Sequence, residues 1–208
     1  MIDIKNVISK LKNNRPLFHS EADFQLAFAW EIQSQYPNAQ IRLEYNYPYV
    51  SNNVYLDIWV NYNGINIPIE LKYKTKKSSF IINDEAFNLK NHSAQDCGRY
   101  DFIKDISRLE QVISKETHSI GYAIMLTNDN LYWNVSTKID SVDAAFKIHE
   151  GRNLCGALAW GELASAGTKR GRESEIVLTN SYNLNWNPYS KVSDSSSGEF
   201  KILIVEVS

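Results

Sequence analysis

Two cysteines, Cys97 and Cys155, in 208 residues leave no disulfide framework and no cysteine-based zinc spacing. No apolar run approaches the roughly 18 residues that a membrane span needs. The longest, ILIVEV near the C-terminus, is short and strand-like. The opening MIDIKNVISKLKNNRP has neither an apolar core nor a small-residue cleavage site, so it does not read as a signal peptide, and the cytoplasm is the expected compartment. An excess of one charge is missing too. The net charge of −2 argues against a strongly basic, non-specific nucleic-acid coat, although a local basic surface depends only on where the charges sit. There is no glycine-rich phosphate loop, so ATP use is not expected. Internal repeats and an interdomain linker are also absent. The four histidines, His19, His92, His118 and His149, show no ligand spacing and no paired nucleophile.

What is present is the composition of a folded chain, 43% hydrophobic and 22% charged, long enough to bury a core without staples. Ile4, Val7, Ile8 and Leu11 recur at helical intervals until Asn13, Asn14 and Pro16. Ser20 followed by Asp23 approximates a capping box, and Phe24, Ala27, Phe28 and Ile32 supply the stripe of a second helix. From Ile41 to Lys74 the pattern is β. Residues 75–100 read as a polar loop with a little structure around Phe80–Phe87. Helical periodicity returns with Phe102, Ile106, Leu109 and Ile113, and GYAIMLTND then reads as a buried strand. Beyond Leu131, SVDAAFKIHE is a short candidate helix, IVLTNSYNLNWNPY a strand, SDSSSGE a turn, and FKILIVEV a last strand. The expectation is one α/β domain over residues 1–208, with a central mixed β-sheet flanked by helices.

The stretch VYLDIWVNYNGINIPIELKYKTKK, residues 54–77, carries the most information. Asn63-Gly64 is a strong hairpin signal, because both residues tolerate the positive φ of a type I′ turn. Residues equidistant from that pair face one another, which sets Asp57 opposite Glu70. Lys72 emerges from the same face, two residues on. Leu56, Ile58, Val60, Ile67, Ile69 and Leu71 form the opposite, buried face. Charges on a strand face are ordinarily a solvated surface. Directly opposed carboxylates, however, lie roughly 4.5–5.5 Å apart at Cβ and repel, and a divalent cation held by their oxygens is the usual compensation. Pro68 cannot donate to a ladder and marks a place where the register can shift.

Asp57, twelve residues, then Glu70-Leu71-Lys72 resembles the PD-(D/E)XK nuclease superfamily, with its restriction-endonuclease-like fold. A preceding helix in that family often adds a glutamate, and Glu21 in SEADFQLAFAWEI occupies that place. The resemblance covers a core of about residues 20–128, leaving a β-rich C-terminal extension. It departs at Leu56, where the motif has proline. It implies a Mg²⁺-dependent endonuclease, with Mn²⁺ as a substitute, that hydrolyses phosphodiester bonds of DNA, in a restriction or phage-defence role. Asp57, Glu70, the Leu71 carbonyl and Glu21 would hold the metal. Lys72 would orient or help deprotonate the attacking water and stabilise charge on the phosphate.

Lys74, Lys76 and Lys77, with Lys169, Arg170 and Arg172 of TKRGR, are candidates for DNA phosphate contacts, and a solvated charged loop is an equal reading for each cluster. Gln25 reads as a surface residue, although it lies one turn from Glu21. Arg99, Lys104 and Arg108 read as members of a solvated helix, with Asp105 and Arg108 an i,i+3 pair. Trp133, Trp160, Tyr182 and Trp186 read as packing residues before base-stacking ones. The near-neutral charge leaves room for a homodimer or a partner subunit that supplies DNA grip. It also leaves a second reading, a catalytically silent nuclease-fold protein that binds nucleic acid or a protein. A third is an ordinary β surface in an unrelated interaction domain.

Overall fold

A computed structural model describes residues 1–50, 54–138 and 140–208. Helix α1 (Ile4–Asn14) is capped by Asp3, whose side chain accepts the Asn6 N–H at 3.0 Å. Helix α2 (Glu21–Gln35) is capped by Ser20, which accepts the Asp23 N–H. Strands β1 (Gln40–Tyr47), β2 (Val54–Tyr62) and β3 (Ile65–Lys74) form an antiparallel meander. A small hairpin follows, β4 (Ser78–Ile82) and β5 (Glu85–Leu89), and then helix α3 (Gln95–Ile113) and strand β6 (Gly121–Thr127).

The rest of the chain contains a 3₁₀ turn at Ala144–Phe146, β7 (Asn153–Leu158), the short α4 (Ala166–Lys169), β8 (Ile176–Asn183), β9 (Trp186–Lys191) and β10 (Glu199–Val207).

The protein is an α/β structure with a mixed six-stranded sheet in the order β1-β2-β3-β6-β10-β9. Within that sheet only β3 and β6 run parallel, and α3 makes the crossover between them. Helices α1 and α2 cover one face. Phe24, Phe28 and Ile32 pack there against Ile58, Val60, Ile69, Leu71, Ile124 and Ile202. Helix α3 covers the other, where Phe102, Ile106 and Leu109 meet Ala123, Met125, Leu203 and Val205. Strand β6 is buried at every position because its alternating side chains enter both clusters.

The hairpin register is the expected one from Tyr62↔Ile65 to Ile58↔Ile69, and Pro68 pairs with Trp59 without a shift. Asn63 and Gly64 take φ of 52° and 76°, as a type I′ turn requires. Gly64→Ala places a Cβ in that left-handed conformation and is expected to cost about 1 kcal/mol, read as a lower urea midpoint.

Several expectations need correction. Leu56 does not share a face with Ile58: it packs in the α3 cluster, whereas Ile58 packs under α2. The strands wring at this point, since Glu44, flanked by the Leu43↔Ile58 and Tyr45↔Leu56 pairs, has φ of 49°. The structure expected around Phe80–Phe87 is there, but residues 75–100 hold more than a loop with a little structure. Asn83 and Asp84, both at positive φ, turn the β4–β5 hairpin, and α3 begins at Gln95. The candidate helix at residues 141–150 is only a 3₁₀ turn. The apparent strand at 176–189 is two, β8 and β9, broken near Leu184. The C-terminal strands β9 and β10 extend the central sheet beyond β6.

Candidate active site

The β2–β3 ladder stops at Ile58↔Ile69, one residue short of Asp57 and Glu70. From Ile69 to Lys74, β3 continues to pair with β6 on its other side. The two strands therefore fork at Asp57, and the fork leaves β3 backbone donors that need partners. Carboxylates supply them: Asp57 Oδ2 accepts the Leu71 N–H at 2.6 Å, and Glu21 Oε2 accepts the Tyr73 N–H at 2.7 Å. Glu21 is the first residue of α2, so the helix start is tied to the fork. Gln25, one turn on, is no idle surface residue. Its amide donates to the Asp57 carbonyl at 2.6 Å and to Glu44 Oε1 at 2.8 Å, across the strained position in β1.

Glu70 and Lys72 face α3, where two side chains meet them. Arg108 donates to Glu70 Oε1 at 2.7 Å. Lys72 Nζ forms an ion pair with Asp105 Oδ2 at 2.7 Å and donates to the Leu71 carbonyl at 3.1 Å. Arg108 also approaches Asp105 at 3.3 Å. Asp105 is only 4% exposed and Glu70 2%, so the reading of Asp105 and Arg108 as a pair on a solvated helix is overturned. A signal was available: Asp105 stands three residues after Phe102 and four before Leu109, inside the apolar stripe.

Four acids, Glu21, Asp57, Glu70 and Asp105, thus share this half-closed site with two cations, Lys72 and Arg108. Burial pushes the Asp57 carboxyl upward, more than Lys72 and the Leu71 N–H pull it down. Glu70 is pushed well above the carboxylate range, by burial and then by repulsion from Asp105 and Asp57. Burial also raises Asp105, against the pull of Lys72 and Arg108. For Lys72, burial opposes the charge, but Asp105 and Asp57 outweigh it and hold the ammonium protonated.

Comparisons of the chain with protein-family models, curated proteins and solved structures find no match.

The chemistry of the donor set fits a hard divalent cation. Each carboxylate of Glu21, Asp57 and Glu70 uses one oxygen, leaving Glu21 Oε1, Asp57 Oδ1 and Glu70 Oε2 outside any hydrogen bond among the described residues. A cation there would relieve the repulsion that raises the Asp57 and Glu70 pKa values. As the side chains stand, no three acidic, histidine or cysteine groups among the described residues converge closely enough to enclose a metal.

The basic candidates divide. Lys76 is tied to Asn130 at 2.7 Å and Asp129 at 3.3 Å, and Arg172 makes a two-pronged pair with Asp101 at 2.7 Å. Lys77 and Arg170 are exposed, and Lys169 is half-buried. Lys74 is half-buried and, with Arg172, borders a hollow of about 380 Å³ at the start of α3. The tryptophans Trp133 and Trp186 pack with their rings tilted by 56° and their centres 6.0 Å apart inside the α3-side cluster, and Tyr182 is buried with them.

Proposed function

We propose that this protein is a metal-dependent nuclease of the restriction-endonuclease-like type that hydrolyses phosphodiester bonds of DNA. The observation that carries the reading is the fork at Asp57, where four acids, two of them buried, meet two cations and where Glu21, Asp57 and Glu70 each keep an oxygen free. The element order supports it: helix, antiparallel meander with Asp57 and then Glu70 and Lys72, crossover helix, parallel strand. Asp57, Glu70, Glu21 and the Leu71 carbonyl would hold Mg²⁺ or Mn²⁺. An ion held there would lower the pKa of a water bound to it and polarise the phosphoryl oxygen.

The chain's own groups do the rest. Asp57 and Glu21 fix β3 by accepting its backbone N–H groups, which positions Glu70 and Lys72 with respect to each other. Lys72, protonated, acts as a charged donor to a phosphate oxygen and not as a base, and it must leave Asp105 to do so. Arg108 must likewise release Glu70.

The deciding experiment is calorimetric titration of the protein with Mn²⁺ and Mg²⁺, paired with cleavage of supercoiled plasmid. Heat of Mn²⁺ binding that vanishes in Asp57→Ala, together with metal-dependent nicking, is the expected result. Binding that survives Asp57→Ala unchanged sinks the assignment of the site.

The engagement of both Lys72 and Arg108 within the protein favours a second reading, a nuclease-like protein that binds DNA or a partner without cutting. DNA binding with no nicking under any divalent metal is the result that selects it.

A further inference from the structure

We propose that His92, Lys74 and Lys90 form a phosphate-binding subsite beside the fork, one that grips the backbone of a nucleic-acid strand. The identity of that ligand rests on the nuclease reading. These three side chains line a hollow of about 210 Å³ whose wall continues into Glu21 and Tyr73. The hollow therefore opens directly beside the acids of the candidate site. Lys74 and His92 also border the larger hollow at the start of α3, so they stand between the two.

The histidine is held in one defined state. The Thr75 N–H donates to His92 Nδ1 at 3.0 Å, so that nitrogen carries no proton. The Thr75 hydroxyl spends its proton on the Lys90 carbonyl at 2.7 Å and does not compete. The His92 backbone N–H in turn donates to the Thr75 carbonyl at 2.7 Å, which locks the two segments together. Burial and then the Lys74 charge hold the ring's pKa below its usual value, so it stays neutral. The proton of the neutral ring is then on Nε2, the one ring donor left, and it has no hydrogen-bond partner among the described residues. A fixed N–H donor flanked by two ammonium groups is the chemistry that holds a phosphodiester oxygen.

The neighbouring His19 is unsuited to that role. Its Nε2 is taken by Glu85 at 2.8 Å and its ring stacks on Phe87. Glu21 is the one carboxylate lining the hollow among the described residues, and one of its oxygens is engaged by the Tyr73 N–H. The pattern was not legible in the sequence, because His92 meets Thr75 only once the β4–β5 hairpin has folded back.

The test is fluorescence anisotropy with a labelled DNA duplex in EDTA, where nothing is cut, over a series of salt concentrations. His92→Asn keeps an oxygen close to the place of Nδ1 but loses the Nε2 donor, and is expected to weaken binding about tenfold. His92→Gln restores a donor near Nε2 and should recover part of that loss. Lys90→Gln should reduce the salt slope by about 0.9. Duplex affinities equal to wild type in all three variants overturn the subsite and leave the hydrolysis reading standing. Weakened variants, with no cleavage of any DNA by wild type in Mg²⁺, uphold the subsite and remove hydrolysis. A loss in His92→Gln with wild-type binding in His92→Asn marks a purely structural histidine and overturns the proposal, as does a wild type that binds no duplex. Inorganic phosphate that shifts the His92 ¹⁵Nε2 resonance but does not compete with duplex assigns the pocket to a free anion and overturns the strand contact.

Discussion

Lys72→Met is expected to reduce metal-dependent DNA cleavage about 10³-fold while leaving duplex binding within a few-fold of wild type. The ammonium donates to the Leu71 carbonyl, one of the groups that would hold the metal, and removing one preorganised charge of this kind costs about 10²–10³ in rate. Under the proposed reading, phosphate contacts elsewhere would dominate binding, so affinity should move little. The same substitution also acts on the fold. Asp105 is buried and has Lys72 at 2.7 Å as its closest ion partner, with Arg108 at 3.3 Å. Removing one member of a buried pair costs about 3–5 kcal/mol when the remaining charge is uncompensated, and Arg108 keeps the effect toward the lower end. Rates and thermal midpoints must therefore be measured together. A folded Lys72→Met protein that cuts as fast as wild type excludes Lys72 from the chemistry.

Asp57→Asn should abolish cleavage and yet make the protein more stable. Asparagine keeps an oxygen for the Leu71 N–H and removes a charge that burial makes unfavourable. A gain of about 1 kcal/mol, or roughly 2–4 °C in thermal midpoint, is the expected size for relief of this kind. The pH dependence gives an independent check.

Asp57, Glu70 and Asp105 have folded-state pKa values above their unfolded ones. Between the ordinary carboxylate range, about 4, and those raised values, the folded protein holds protons that the unfolded chain has released. Their contribution to stability is greatest at the acid end of that window and declines as pH rises through it. Asp143 works in the opposite sense. Its burial is outweighed by hydrogen bonds from Arg99 and Lys147, which hold it at about 2, so its stabilisation is complete above the unfolded value of about 4 and is lost as pH falls from there through 2. The thermal midpoint should therefore be higher near about pH 5 than near about pH 8, and Asp57→Asn should narrow the gap. A midpoint that rises steadily from pH 5 to 8 contradicts the raised acids.

The hairpin was legible because two local signals agreed. Asn63-Gly64 determined the turn, and the alternation of Ile58, Val60, Ile67 and Ile69 determined the register. Helices α1 and α2 were legible for the same reason, with Ser20 marking a start by its own hydrogen bond. Partners that come from across the fold were harder to read. Arg108 looks like a surface residue until β3 supplies Glu70, and Asp105 looks like its i,i+3 companion until Lys72 arrives. Glu44 gave no sign of its positive φ, because nothing in its local sequence favours a left-handed residue as Asn63-Gly64 does. Strand β7 went unread because Gly156, at φ of 70°, sits where its register shifts and breaks the alternation.

Strand β10 lies between β6 and β9, although residues 128–198 separate it in sequence from the strand it joins. Synthesis runs from the N-terminus at about 5–20 residues per second, so on the order of several seconds pass between the emergence of β6 and that of β10. Throughout that interval the nascent chain carries the whole β2–β3 fork but shows the ribosome's surroundings an apolar, unpaired flank of β6. An open flank of that kind invites pairing with another chain. The translation rate through residues 128–198 should therefore set how much newly made protein matures and how much is diverted into aggregates or chaperone complexes.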